Sequence, residues 1–427
     1  MSETLGRHLE VHMSDYSGHE VWLAKLKNHL ETERYAATTM ARCMNTAGHF
    51  LADLAAQHVE VASARQEHVE HYLQQVRRKY RRRHGHSPGY ESWRRLQTDG
   101  IHMLLRLIQG QWPPAPAAVT PAEILQKEVC GEYSGWMTVL CGRSPGTVSG
   151  RCGEARRFLE WLGECATRET LATLALVEVD DYMKDRARLL CRSSLRKAAS
   201  DTRCFLRWLH MTERTVHDLS STVIAPRVYA FEGIPSAVGA EDVKKIMAVT
   251  QKDRTPKGIR DYAILMLLST YGVRAGEITM LRLDDVDWRN ETIRIRHNKT
   301  GATSYLPLLP EVGEAILQYL QKSRPKTAFR EVFIRCCAPY RPFKEGSNLG
   351  RLVRRWFEDA GANTKGKRGP HAFRHARAVS MLRAAVPLKE IGDLLGHRSA
   401  DSTLVYLKLA TEDLRAVAME IPTEVKG

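Results

Sequence analysis

The stretch Leu395-Gly-His-Arg-Ser-Ala-Asp-Ser-Thr-Leu-Val-Tyr406 sets a tyrosine nine residues after a histidine. Taken by itself, it predicts only a helical segment that carries a tyrosine, and a tyrosine in an amphipathic helix is usually part of a core. A chemical role for Tyr406 therefore depends on polar residues elsewhere in the chain. Those residues occur upstream, in three short segments.

The three upstream segments hold the residue types that metal-free phosphoryl transfer needs. Arg274 lies in Thr270-Tyr-Gly-Val-Arg-Ala-Gly-Glu277, Lys299 lies at the tip of a predicted hairpin, and His371 precedes Arg374 by three residues. Two guanidiniums can hold the non-bridging oxygens of a phosphodiester and stabilise its transition state. A tyrosine hydroxyl, with an ordinary pKa of about 10, needs help with deprotonation from a histidine, and a lysine can protonate the departing oxygen.

This ordered set resembles the catalytic signature of the tyrosine recombinases, the phage-integrase family, over about Ile234 to Pro422. Two positions depart from the family pattern: Phe373 replaces the usual Leu, and Tyr305 stands where an Arg is often found. Neither departure removes a chemical group from the signature. In chain order its members are Arg274, Lys299, His371-x-x-Arg374, Leu395-Gly396-His397 and Tyr406, with Thr403 three residues before the tyrosine.

The resemblance implies that Tyr406 attacks DNA to form a 3′-phosphotyrosyl link and a free 5′-hydroxyl. Because that link stores the bond energy, rejoining needs no ATP, and we expect no cofactor and no metal. Glu277, three residues past Arg274 on the same helical face, is expected to orient either Arg274 or a neighbouring catalytic group. The remaining implied roles are phosphate binding by Arg274 and Arg374, general acid catalysis by Lys299, acid/base catalysis by His371 and hydrogen bonding to phosphate by His397.

Two breaks divide the chain into three parts. They are the Pro/Ala-rich segment Trp112–Ala118 and the stretch Ala225–Pro235, where helical periodicity lapses. We expect a helical module at residues 1–112, a helical core-binding module at 119–225 and a tyrosine recombinase catalytic domain at 234–427.

The predicted fold class is mainly α: helical core-binding modules and a mostly helical catalytic domain with a small antiparallel β-sheet. Helices are predicted to include Glu241–Met247 and Ile259–Leu268. The strand candidates are Thr292–Arg296 and Ser304–Leu308, joined by a turn at Asn298–Gly301.

The first two parts read as distant copies of one helical plan. Their apolar clusters recur at helical intervals and are therefore predicted to be core. The basic segments between them, Arg77–Arg83 and Arg192–Lys197, are either solvated helix faces or contacts to the DNA backbone. The paired clusters are Phe50 to Leu54 with Phe158 to Leu162, Val69 to Leu73 with Val179 to Met183, and Leu104 to Leu107 with Phe205 to Leu209.

Composition narrows the class of protein. The 427 residues carry 64 Lys and Arg against 49 Asp and Glu, a net charge of +15 that favours a polyanionic partner. No apolar run is long enough for a membrane helix and the first residues do not resemble a signal peptide, so we expect a cytoplasmic protein without membrane contact that associates with the nucleoid. The nine cysteines form no Cys-x-x-Cys pair and are expected to be reduced and mostly buried.

Two other motifs are rejected. Gly361 to Lys367 nearly spells a phosphate-binding loop, but Arg368 stands where a magnesium-binding Ser or Thr is needed. His371 and His375 lie four apart, but Ala372 stands where a zinc-dependent hydrolase would carry Glu.

The predicted function is therefore that of a DNA recombinase or integrase, acting on paired double-stranded sites within a synaptic homotetramer, alone or with related recombinases. A mobile element is the expected source. The alternatives are a type IB topoisomerase-like enzyme and a catalytically inactive architectural DNA-binding protein. Residues 412–421 are expected to form a helix that docks either on a neighbouring subunit or on its own domain.

Overall fold

The structure is a computed structural model that describes residues 19–114, 118–229, 238–297, 301–344, 347–362, 368–396, 401–404 and 406. It divides into two compact units: one contains the described parts of 1–114 and 233–427, and the other those of 115–232. Within these described ranges, no helix has the length and apolar character required to cross a membrane.

The first module is a set of four helices around its own core. The aromatic pair Phe50 and Tyr72 meets edge to face with ring centroids 5.7 Å apart. Gly85 and Gly110 follow the last two helices at positive φ, the backbone region in which glycine ends helices without strain. The helices are α1 (Glu20–Thr32), α2 (Ala37–Ala56), α3 (Gln66–His84) and α4 (Tyr90–Gln109).

The loop that follows α1 contacts the catalytic part of the same unit. The Arg34 guanidinium donates to the Lys326 carbonyl over 2.8 Å and lies 5.6 Å from the Tyr340 ring centroid. Beside it, Arg341 forms an ion pair with Glu33. Polar contacts of this kind join the two parts of the unit at one place.

The second unit has a core of large aromatic side chains. Phe158 and Tyr182 meet edge to face with ring centroids 5.0 Å apart, as Phe50 and Tyr72 do in the first module. The Tyr182 hydroxyl donates to the buried Glu154 carboxylate over 2.8 Å. The helices are α5 (Pro121–Gly135), α6 (Pro145–Leu162), α7 (Arg168–Ala172), α8 (Leu176–Leu189) and α9 (Arg192–Met211), with a π-helical turn at Trp136–Leu140.

The predicted core clusters of both helical parts are buried, with three exceptions. Leu107 is 38% exposed, Trp161 is 36% exposed and Leu162 is half-buried. The Trp161 indole donates to Asp185 over 2.8 Å. The predicted helical periodicity therefore identified the core of each part.

The catalytic part surrounds a three-stranded antiparallel sheet with helices. The strand prediction is confirmed: the second strand has the predicted bounds and the third begins one residue earlier than predicted. Ile293, Ile295 and Leu306 alternate inward and are buried. The elements are α10 (Ala240–Lys252), α11 (Pro256–Tyr271), α12 (Ala275–Thr279), β1 (Val286–Asp287), β2 (Thr292–Arg296), β3 (Thr303–Pro307), α13 (Pro310–Lys322), α14 (Ser347–Asp359), α15 (Pro370–Arg383), α16 (Leu388–Leu395) and α17 (Asp401–Leu404), in the sheet order β1-β2-β3.

The cysteines differ from expectation in their burial. All nine are free, as predicted, but only Cys43 and Cys152 are buried. The prediction of mostly buried thiols was wrong because several lie at helix ends and in loops, as Cys191 does at the N-cap of α9.

A glycine sets the crossing of α2 and α4. A Cβ at Gly100 would lie 2.4 Å from the Cys43 carbonyl oxygen, an atom of rigid helix backbone. We expect Gly100→Ala to lower the free energy of unfolding by about 1–3 kcal/mol, although alanine is the better helix former. Chemical denaturation followed by circular dichroism measures this.

Gly131→Ala is the matched control, because a Cβ at this α5 position meets no atom within 4 Å. It should leave stability unchanged or raise it by up to about 1 kcal/mol. Equal stability of the two variants would contradict close packing at Gly100.

Candidate active site

The structure brings four of the six predicted catalytic residues into one region of the catalytic part. Arg274, His371, Arg374 and Tyr406 lie at or near the ends of α11, α12, α15 and α17. The other two, Lys299 and His397, lie outside the described residues, each within two residues of a described segment.

Arg374 is a buried guanidinium matched by backbone acceptors. Its Nη1 donates to the Gly272 carbonyl over 2.9 Å and its Nη2 donates to the Leu395 carbonyl. Burial lowers the pKa of Arg374, and the positive charge of Arg274 lowers it further. Arg374 thus joins the end of α11, the start of α15 and the end of α16.

Arg274 lies two residues beyond the glycine that Arg374 contacts and is the N-cap residue of α12. Its Nη1 donates to Glu277 Oε1 over 2.8 Å, its backbone N–H donates to Glu277 Oε2 over 2.7 Å, and its Nη2 donates to the Gly396 carbonyl over 3.2 Å. The predicted partnership with Glu277 is present, but as a capping arrangement rather than a shared helical face. The side chain of Arg274 is 20% exposed and so remains open to a ligand.

Tyr406 is buried in a small apolar cluster with Ile391 and Leu395 of α16. Burial raises the pKa of the Tyr406 phenol, while the charge of Arg374, a hydrogen bond from Arg374 and the charge of Arg274 lower it part of the way back. The positive charges of both arginines therefore act on the phenol, and the effect of Arg374 is the larger.

The two histidines of α15 occupy different environments. His371 is exposed in the first turn, whereas the half-buried His375 ring lies 5.5 Å from the Tyr406 ring and 6.4 Å from the His371 ring, measured between centroids. Burial lowers the pKa of His375 to about 4, helped by the neighbouring His371 and Arg374. Sequence reasoning selected His371 and did not predict the contact of His375 with the tyrosine.

Sequence reasoning also missed a buried histidine beside Arg274. His297 follows β2 and hydrogen-bonds through Nδ1 to Glu277 Oε1 over 2.8 Å and through Nε2 to Ser304 Oγ over 2.8 Å. Burial alone would raise the pKa of Glu277, but the hydrogen bonds from His297 and Arg274 outweigh it and the pKa is lowered. The sequence pattern could have predicted the burial of His297, because this residue continues the inward alternation of Ile293 and Ile295.

Backbone close approach explains the glycines around the site. Gly396 has a φ of +62° and a Cβ there would lie 2.6 Å from the His297 ring. A Cβ at Gly392 would lie 3.0 Å from Thr403 Oγ1, which is buried three residues before Tyr406. Gly396 at the end of α16 therefore packs directly on His297, and Gly392 within α16 packs on Thr403 of α17.

The part of the chain that the structure describes contains no group of three or more His, Cys, Asp or Glu side chains arranged to hold a metal ion. His371 and His375 have no third such ligand among these residues. The cationic and phenolic groups of the site instead suit an anionic substrate.

Comparisons with known proteins agree on one family. The model of the phage integrase family matches residues 237–413. A Sinorhizobium fredii protein, y4gC, described as an integrase/recombinase, is 56% identical over 195 residues, which are 45% of this chain and 100% of that protein. The y4rF protein of the same organism, similarly described, is 31% identical over 310 residues, 72% of each chain. The tyrosine recombinase XerA of Thermococcus kodakarensis is 27% identical over 288 residues, 67% of this chain and 93% of that protein.

Two solved structures share the fold. The XerH site-specific recombinase bound to a palindromic difH substrate aligns with a TM-score of 0.55 at 14% identity, covering 71% of this chain and 98% of that one. A lambda integrase (75–356) dimer bound to a COC′ core site aligns with a TM-score of 0.52 at 15% identity, covering 70% and 99%. At these identities the likeness shows the fold alone. With a relative matched along its whole length at 56% identity and the family model matched over the catalytic part, this chain belongs to the phage integrase family, the tyrosine recombinases.

Proposed function

We propose that this chain is a site-specific recombinase in which Tyr406 cleaves and rejoins the strands of duplex DNA. The observation that carries the proposal is the grouping of three residues at the end of α16: Tyr406 packs with Leu395, Arg374 donates to the Leu395 carbonyl, and Arg274 donates to the Gly396 carbonyl. A nucleophile and two guanidiniums are then ready to receive one phosphodiester.

The reaction is a pair of transesterifications. The Tyr406 oxygen attacks phosphorus, the bond from phosphorus to the 5′-oxygen breaks, and the phenol gives up its proton while the departing oxygen gains one. The product is a 3′-phosphotyrosyl link with a free 5′-hydroxyl. Attack by the 5′-hydroxyl of another strand reverses these steps and releases Tyr406, so bond energy is conserved without ATP, and no step calls for a metal ion.

Each side chain has a proposed part in these steps. Arg274 and Arg374 bind the non-bridging oxygens, for which bidentate guanidiniums are well suited. His371 exchanges the proton of the nucleophile or phosphate. Lys299 protonates the 5′-oxygen, and His397 donates a hydrogen bond to the phosphate; both follow from the order of the signature in the sequence.

Two other functions are disfavoured. A type IB topoisomerase-like enzyme would relax supercoiled plasmid at many sites, whereas relatives of this chain are described as integrases and recombinases. An inactive architectural protein would not need a tyrosine held against a guanidinium. Recombination accounts for both the family and the chemistry.

We further propose that both helical modules and the catalytic domain bind duplex DNA within a homotetramer. The last two turns of α3 support this: Arg78, Lys79, Arg82 and Arg83 are exposed and pair with no residue that the structure describes. No Asp or Glu occurs between Glu70 and Glu91. The uncompensated charge suits phosphates, and such a protein would lie on the nucleoid.

Replacing the nucleophile tests the reaction. Tyr406→Phe should abolish covalent complexes with a pool of randomised DNA duplexes, because no oxygen remains to attack phosphorus. Denaturing gels measure the covalent product, and sequencing the trapped duplexes of the unmodified protein identifies the site. Filter binding should give a near-normal affinity for the selected duplex, and covalent product from Tyr406→Phe would contradict the assignment.

The proposed general acid has its own test. Lys299→Ala should slow cleavage of the selected duplex. The cleavage rate of this variant should recover when the 5′-bridging oxygen of the duplex is replaced by sulfur, because a thiolate leaves without being protonated. Single-turnover cleavage rates on the two substrates measure the recovery. Arg374→Ala is the matched control and should stay slow on both, and a Lys299→Ala rate that sulfur leaves unchanged would remove the lysine from this role.

The basic face of α3 predicts a salt effect. Changing Arg78, Lys79, Arg82 and Arg83 to Ala should weaken binding of the selected duplex, and each lost phosphate contact should reduce the slope of log affinity against log salt by about 0.9. Titrations from low to moderate salt measure the slope.

The control removes equal charge from lysines that are already paired. Lys27, Lys184, Lys244 and Lys245 each lie within 4.0 Å of an acidic side chain. Their combined change to Ala should leave the slope near that of the unmodified protein. Equal slopes for the two quadruple variants would show that net charge, rather than α3, determines binding.

A further inference from the structure

His297 lies at the junction of three segments of the active site. It directly follows β2, it is only 2% exposed, and its ring packs against Gly396. Its backbone N–H donates to the Ala302 carbonyl and its carbonyl accepts from the Gly301 N–H, so it also closes the base of the hairpin. A buried polar ring at such a place must satisfy both nitrogens.

The two hydrogen bonds of the ring fix its orientation. Glu277 carboxylate oxygens only accept, so Nδ1 carries a proton and donates to Oε1 over 2.8 Å. Nε2, at 2.8 Å from Ser304 Oγ, is then the atom that accepts from the hydroxyl when the ring carries a single proton.

The same carboxylate orients Arg274. Glu277 Oε1 receives both His297 Nδ1 and Arg274 Nη1, and Oε2 receives the Arg274 backbone N–H. The other end of the Arg274 fork contacts the carbonyl of Gly396, the residue on which the His297 ring packs. Removing the His297 side chain would leave one lone pair of the Glu277 carboxylate without a donor and would open space beside Gly396.

We propose that His297 is a positioning residue of the recombinase: through Glu277 it holds the guanidinium of Arg274 in the orientation that binds the scissile phosphate. The inference rests on the proposed function, which assigns phosphate binding to Arg274. His297 itself does not touch the DNA.

Two substitutions separate the hydrogen bond from the packing. His297→Phe keeps a ring of similar volume but no donor. His297→Asn keeps an amide donor that reaches the position of Nδ1, and so should still hold Glu277. A displacement of a catalytic group by about 1 Å costs on the order of 100-fold in rate. We expect His297→Phe to lose rate on this scale in single-turnover cleavage at saturating enzyme, and His297→Asn to recover most of it.

A chemical readout tests the path through Arg274. Replacing one non-bridging oxygen of the scissile phosphate in the selected duplex by methyl removes the negative charge that the guanidinium neutralises. The defects of Arg274→Ala and His297→Phe, each relative to the unmodified protein, should both shrink on this neutral substrate. The affinity of His297→Phe for the unmodified duplex should stay near that of the unmodified protein.

The outcomes are distinct. An equal defect of His297→Phe on the charged and neutral substrates, or a defect that His297→Asn fails to relieve, would reduce the histidine to a packing role and overturn the inference. Absence of a Tyr406-dependent covalent complex from the unmodified protein would instead overturn the proposed function.

Discussion

The buried guanidinium of Arg374 is the constraint on which the rest of the site depends. An unmatched charge in such a place would cost several kcal/mol, so acceptors must be brought to it. The chain supplies the carbonyl of Gly272, which caps the C-terminus of α11, and the carbonyl of Leu395, the last residue of α16. Arg274 follows Gly272 in the chain, and Tyr406 follows Leu395. The hydrogen bonds that satisfy the Arg374 guanidinium therefore also fix the positions from which the chain leads to these two residues.

The glycines follow from the same requirement. Gly272 has a φ of +64°, and a Cβ there would lie 2.9 Å from Leu395 Cδ2. Gly396 likewise has positive φ and faces the His297 ring. Both positions end a helix in the left-handed region and let backbone approach a neighbour, which glycine alone does without strain. The local turns and the catalytic arrangement therefore have one physical cause.

Much of this arrangement was predictable from the sequence, because periodicity reports burial. The alternation of apolar and polar residues predicted the bounds of β2 and placed β3 within one residue. The helical spacing of apolar residues predicted the cores of both helical parts. The pairing of Arg274 with Glu277 was predicted from their spacing, but its form was not, since a helix that starts at Ala275 makes Arg274 a cap.

Other features required coordinates. The alternation of Ile293 and Ile295 extends to His297 and predicts its burial, but it does not predict its partners Glu277 and Ser304, which lie in separate segments. The contact of His375 with Tyr406 joins two separate segments of the chain, a tertiary relation that local pattern does not encode. The cysteines were misjudged because residue type predicts average burial, while helix ends expose individual side chains.

The electrostatics of the site limit how Tyr406 can lose its proton. A bound phosphodiester brings negative charge to Arg274 and Arg374, and so weakens the two cations that lower the pKa of the phenol against the effect of burial. In the reaction that we propose, a free phenolate formed beforehand is therefore disfavoured, and proton loss accompanies attack on phosphorus. His375 adds no positive charge at physiological pH, because its pKa is lowered to about 4. In the proposed reaction the attraction for phosphate is thus left to the two guanidiniums, of which Arg274 is hydrogen-bonded to the buried Glu277 carboxylate and Arg374 to backbone carbonyls.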